Sequence, residues 1–186
     1  MAASSTRPDP VEALRGFVLV SGAPGAGKST LAAPLAARIG LPLLGKDIIK
    51  ETLYDHIPAQ GDAAAWSKVL GGAAMEMIWA LAAVSPGAVL EANFRPHSAY
   101  ERERIAALPG PVVEVWCHCP QALAATRYAS RHASRHPTHV RSEMTPEMLA
   151  EFDRPLGLSH VIEVDTTRPA DVEAVAQAVL TVLGGG

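Results

Sequence analysis

The chain has 186 residues, 48% hydrophobic, 19% charged and 5% aromatic, a balance that fits one globular domain and excludes fibrous and disordered classes. No apolar run approaches the roughly 18 residues that span a bilayer, the opening MAASSTRPDPVEALRG has no secretory core, and Cys117 and Cys119 lie too far apart in an extended segment for easy disulfide geometry, so a soluble, reduced, cytoplasmic protein with no membrane partner is expected. The net charge of −3 is uneven: the stretch between Glu114 and Glu143 holds Arg127, Arg131, Arg135 and Arg141 with no acid, so it carries +4 and leaves −7 elsewhere, a pattern that suits a compact anion and makes a long nucleic acid an improbable partner.

Residues 1–15, rich in Ala, Ser and Pro, read as a loose leader, with a single domain over 16–186. Phe17 to Val20 is a short buried-strand run. After a glycine-rich loop, Leu31, Leu35 and Ile39 take helical spacing up to Gly40. Pro34 must sit in the first turns of that helix or kink it. A strand is expected at Leu43 to Gly45, and a helix beginning after Asp47. From Ala63 to Val84 the residues Trp66, Val69, Leu70, Met75, Ile78, Trp79 and Ala82 recur at helical spacing, with Gly71-Gly72 as the expected break between two helices. Trp66, Met75, Met77 and Trp79 read as core or pocket wall.

A strand over Val89 to Phe94 is followed by a helix capped at Ser98, and a further strand runs from Val112 to Cys117. Pro120 suits the first position of a helix that runs into the basic stretch. A short helix follows around Pro146 to Phe152, then a last strand over Val161 to Val164 and a helix with the stripe Val172, Val175, Ala176, Val179 and Leu183. Short apolar strands alternating with helices predict an α/β protein whose parallel sheet is covered on both faces.

Gly22-Ala23-Pro24-Gly25-Ala26-Gly27-Lys28-Ser29 fits G-x-x-x-x-G-K-[ST] and lies between a buried strand and a helix, where the pattern has physical meaning. Its glycines permit positive φ, which turns successive N–H groups inward at the positive end of a helix dipole. Such a nest, from Gly22 through Thr30, suits the phosphates of ATP, or of GTP. Lys28 would reach the β- and γ-phosphates, and the Ser29 hydroxyl would ligate Mg2+.

Five stretches together resemble the nucleoside-monophosphate-kinase-like branch of the P-loop superfamily: GAPGAGKST, KDIIKETLYD, VLEANFR, VWCHCPQALAATRYASR and HVIEVDTT. Within it, the chain resembles short ATP-dependent kinases of the chloramphenicol phosphotransferase, zeta toxin and polynucleotide kinase type. The resemblance implies five parallel strands and an arginine-rich lid, here about 127–146, over the phosphates. It also implies that Asp47 deprotonates the acceptor hydroxyl and that Lys50 helps to hold that acceptor.

The residues support parts of this picture on their own. Asp47 falls at the carboxyl-end rim of the expected sheet, where a carboxylate can take a hydroxyl proton, although a helix N-cap explains it as well. Glu91 ends an apolar run where P-loop proteins place a second acid, so it would serve the metal or the acceptor unless it simply faces water. Asn93 and Arg95, just beyond, would line the acceptor pocket. Arg127, Arg131 and Arg135 recur at i, i+4 and i+8, so a continuing helix would array them on one face. There Arg127 would grip the nucleotide while Arg131 and Arg135 stabilise charge on the transferring group, a solvated basic face being the alternative. The expected activity is phosphorylation of a hydroxyl on a small molecule, such as a metabolite or antibiotic. A nucleotide or polynucleotide-end acceptor, or a regulatory nucleotide switch, is the alternative.

Overall fold

The computed structural model describes residues 14–185, so the expected leader lies almost wholly outside it. Five strands, β1 (Gly16–Ser21), β2 (Leu43–Gly45), β3 (Gly87–Glu91), β4 (Val112–His118) and β5 (Val161–Asp165), form one parallel sheet in the order β2-β3-β1-β4-β5. The helices are α1 (Lys28–Ile39), α2 (Lys46–His56), α3 (Ala63–Ala83), α4 (Ala99–Ala106), α5 (Gln121–Ser130), α6 (Pro146–Ala150) and α7 (Val172–Gly184). This is the expected α/β architecture, a parallel sheet with helices on both faces. No helix among the described residues is long and apolar enough to cross a membrane.

Alternation along β1 divides the core. Val18 and Val20 pack with Leu31 and Leu35 of α1 and Val175 and Val179 of α7, while Phe17 and Leu19 pack with Ile78, Trp79 and Ala82 of α3. All four β1 residues are fully buried, as expected for a central parallel strand covered on both sides. Strand order reverses at β1, between β3 and β4, so the carboxyl ends of all five strands open onto one rim at a topological switch point.

Several expectations are corrected. α3 is one helix through Gly71 and Gly72: the propensity cost of about 1 kcal/mol per glycine is outweighed by burial of Trp66, Leu70, Ala74 and Ile78 along its inner face. On its outer face Met77, read as core or pocket wall, is exposed, as is Val69. α1 continues past Pro34, which lies in its interior. α2 begins at Lys46 with Gly45 as N-cap, so Asp47 belongs to the first turn and caps nothing. Pro120 is the N-cap of α5 rather than its first residue. β3 stops at Glu91, although Phe94 beyond it stays buried against Trp79, with ring centroids 5.6 Å apart.

Candidate functional site

The loop between β1 and α1 turns through Gly22, Gly25 and Gly27 at φ of 127°, 86° and 83°. Space as well as conformation demands glycine at the first two: a Cβ on Gly22 would stand 2.1 Å from the Cys117 carbonyl oxygen, and one on Gly25 the same distance from that of Ala124. The Ala26 N–H donates to Ala23 O at 3.0 Å, and Gly27 caps α1 in the left-handed conformation. Pro24 is half-buried, while Ser29 and Thr30 are exposed in the first turn of α1. The arrangement is a backbone nest at a helix start, which suits a phosphate chain.

The neighbouring Cys117 is enclosed by the sheet, and burial pushes its thiol up to about 12. Iodoacetamide at about pH 8 is therefore expected to label one thiol per folded chain, the half-buried Cys119, because only thiolate reacts. Rapid labelling of both, read by mass spectrometry, would contradict this packing.

Lys28 is 6% exposed and its Nζ donates to Ala23 O at 2.9 Å. Burial pulls its pKa below the usual lysine value, opposed first by the carboxylate of Glu91 and also by Asp47. Glu91, at the end of β3, is itself buried and accepts from Ser29 Oγ at 3.2 Å. Burial raises its pKa, while Lys28 is the strongest influence holding it down. The structure therefore brings Lys28, Ser29, Glu91 and Asp47 together at the ends of β1, β2 and β3. The Ser29 hydroxyl beside a carboxylate is an oxygen donor set that fits Mg2+, which usually takes one or two protein oxygens and completes its shell with phosphates and water. Asn93 is half-buried and Arg95 exposed beyond β3, with Arg95 Nε 3.0 Å from Glu151 Oε2.

The three spaced arginines do not share a helix face. α5 ends at Ser130, a 3-10 turn covers His132–Ser134, and Arg135 is extended. Arg127 donates from Nη1 and Nη2 to the carbonyls of Thr166 and Thr167, at 2.9 and 3.3 Å, so its guanidinium is tied to the end of β5. Arg131 caps α5, is exposed, and lies close enough to Lys28 to depress its pKa. Arg135 reaches back over the rim, its Nη2 4.0 Å from Asp47 Oδ2 and its guanidinium 4.5 Å above the Tyr128 ring.

Long-range contacts that local spacing does not reveal complete the site. His139 pairs with Glu51 at 2.7 Å and His136 with Asp55 at 3.0 Å, fastening the segment after Arg135 onto α2. Lys50 Nζ donates to Ser67 Oγ at 2.8 Å and to Thr138 O at 3.3 Å, joining α2, α3 and the lid. Lys46 was not singled out by sequence reasoning, although its i, i+4 relation to Lys50 was the available signal. Glu114, fully buried in β4, accepts from Ser21 and from Leu156 N–H at 2.8 Å, tying the strand before the loop to the segment after the lid. A cleft of about 520 Å³ opens beside the loop, bounded by Ala23, Ala26, His118, Gln121, Asp165 and Thr167 among others.

A family model described as an AAA domain matches residues 17–155. No curated protein matches the chain. Among solved structures, a "putative kinase" from Chloroflexus aurantiacus is 29% identical over 91% of this chain and 99% of its own, with a TM-score of 0.78. A gluconokinase from Sinorhizobium meliloti is 20% identical over 92% and 93% of the two chains, with a TM-score of 0.57. A shikimate kinase from Acinetobacter baumannii is 18% identical over 94% and 95%, with a TM-score of 0.54. The latter two share the fold, and the family match takes in the nest, Lys28, Asp47, Glu91 and the lid: the chain belongs to this AAA-domain family of P-loop proteins.

Proposed function

We propose that the protein is a kinase that transfers the γ-phosphoryl group of ATP, with Mg2+, to a hydroxyl of a small molecule. The observation that carries this reading is the convergence on one rim of a phosphate nest, Lys28, the Ser29–Glu91 pair and a half-exposed carboxylate, Asp47, faced by Arg135. The likeness to the Chloroflexus protein supports it. The narrower likeness to chloramphenicol phosphotransferases, zeta toxins and polynucleotide kinases belongs to the same proposal, as does a cytoplasmic location, where ATP is abundant and free thiols stay reduced.

In this reading the loop N–H groups and Lys28 cradle the triphosphate, and the cleft beside Ala23 and Thr167 takes the nucleoside, with Arg127 anchored to the Thr166 and Thr167 carbonyls next to it. Ser29, with Glu91 acting through water, would hold the magnesium ion, which neutralises phosphate charge when bound. Asp47 accepts the hydroxyl proton as the acceptor oxygen bonds to the γ-phosphorus and the bond to the bridging oxygen breaks, leaving ADP. Arg131 and Arg135 meet the charge on the transferring group.

Arg131→Lys is expected to lower kcat by roughly 10²–10³ while nucleotide affinity changes only a few-fold, because a point charge lacks the planar fork that grips phosphate oxygens in pairs. An unchanged kcat at saturating substrate would remove Arg131 from the chemistry. The whole proposal is tested by incubating the protein with γ-labelled ATP, Mg2+ and a library of hydroxyl compounds. Label in an organic product supports it, and label released only as phosphate contradicts it.

A further inference from the structure

Lys46 opens α2 at the helix end where the macrodipole favours anions, so helix stability does not explain a cation there. Burial holds its ammonium below the usual lysine value, and the charges that act on it are those of Asp47, Arg95, Glu101 and Glu91. Among the described residues its Nζ makes no ion pair or hydrogen bond, whereas Lys50, one turn on, bonds to Ser67 and Thr138. Both lysine stems lie against α3 at Gly71, where a Cβ would come within 3.9 Å of Lys50 Cε and 4.0 Å of Lys46 Cε. From the lid, Arg135 reaches to within 4.0 Å of Asp47, the residue after Lys46, and Arg135 Nη1 and Thr138 Oγ1 are buried with no hydrogen-bond partner.

The carboxylates around the seam have other engagements. Glu91 accepts from Ser29, Glu51 pairs with His139, and Glu101 accepts from the Arg95 N–H. Asp47 is the proposed base. A half-buried ammonium with no partner leaves its charge only partly solvated, and the buried donors on the lid that lack partners are costly. An anion entering the seam would relieve both.

Resting on the kinase reading of the same rim, we propose that the acceptor is an anionic alcohol, a hydroxylated carboxylate or phosphate ester, whose anionic group sits on Lys46 and Arg135 Nη1 while its hydroxyl faces Asp47. Neutral alcohols and neutral antibiotics are then poor acceptors, since they leave Lys46 unpaired.

The full chain is first saturated with Mg2+ and a non-hydrolysable ATP analogue, which occupies the nest. Inorganic phosphate and malonate are then titrated in separate arms at fixed ionic strength, with binding read by calorimetry and thermal shift. At least one probe is expected to bind, and Lys46→Gln to weaken it by roughly tenfold or more while Lys46→Arg stays within a few-fold; the tighter probe tells a phosphate seat from a carboxylate seat. No binding of either probe to the nucleotide-filled wild type, or equal binding to Lys46→Gln, overturns the proposal. A parallel transfer assay compares glycerate and glycerol phosphate with glycerol. Label on neutral compounds alone overturns the anionic acceptor and leaves the kinase standing, while Lys46-dependent anion binding without any transfer keeps the anion seat and defeats the kinase.

Discussion

Lys28→Ala is expected to reduce phosphoryl transfer by roughly 10²–10³ or more, the scale on which a single preorganised charge stabiliser acts. Its ammonium is held at the nest, 2.9 Å from Ala23 O and under the influence of Glu91. Folding is expected to survive at a cost of about 1–3 kcal/mol, the scale for a buried carbonyl that loses its donor. A second consequence is pH-dependent. Burial already raises the Glu91 pKa, and Lys28 is the strongest influence opposing that rise, so the variant's carboxyl titrates higher still. Glu91 must be ionised to serve a cation, and its charged form is lost as pH falls through the raised pKa. The acid limb of any residual activity should therefore move to higher pH. Steady-state rates across a pH series check both claims, and wild-type turnover at neutral pH would remove Lys28 from the donor site.

The parts of this molecule legible in its sequence are those whose chemistry is local. Gly22 to Ser29 could be read because the glycines, the lysine and the hydroxyl all serve one loop at a strand-to-helix junction, and the strands could be read because β1 and β3 are short and wholly buried. Gly71 misled because glycine in isolation signals a break, whereas here the helix carries it through, with two lysine stems from α2 lying alongside. The arginine spacing misled in the same way. An i, i+4, i+8 array presumes a helix that continues, but α5 gives way to a 3-10 turn at His132, and Arg135 still reaches Asp47, by an extended path. His136 and His139 gave no sign of their partners because Asp55 and Glu51 lie 81 and 88 positions away.

Asp47→Asn is the second substitution with a large expected effect, and it decides between a kinase and a nucleotide-binding switch, which needs no acceptor base. Asp47 sits in the first turn of α2 with its side chain 48% exposed, 4.0 Å from Arg135. A pair separated by 4.0 Å, with its carboxylate half exposed to water, contributes little to stability, and the lost interaction with the helix dipole is worth about 0.3–1 kcal/mol, so melting should change by only a few degrees. The amide keeps the shape and polarity of the carboxylate but cannot take up the hydroxyl proton. Phosphoryl transfer should fall by roughly 10²–10⁴, the range for a positioned general base. The deciding measurement is a single-turnover comparison of wild type and Asp47→Asn with γ-labelled ATP and an accepted hydroxyl compound, with nucleotide affinity determined on the same samples. Nucleotide affinity retained with transfer lost is the predicted result; transfer at the wild-type rate by a normally folded Asp47→Asn protein would contradict the assignment of Asp47 as the base.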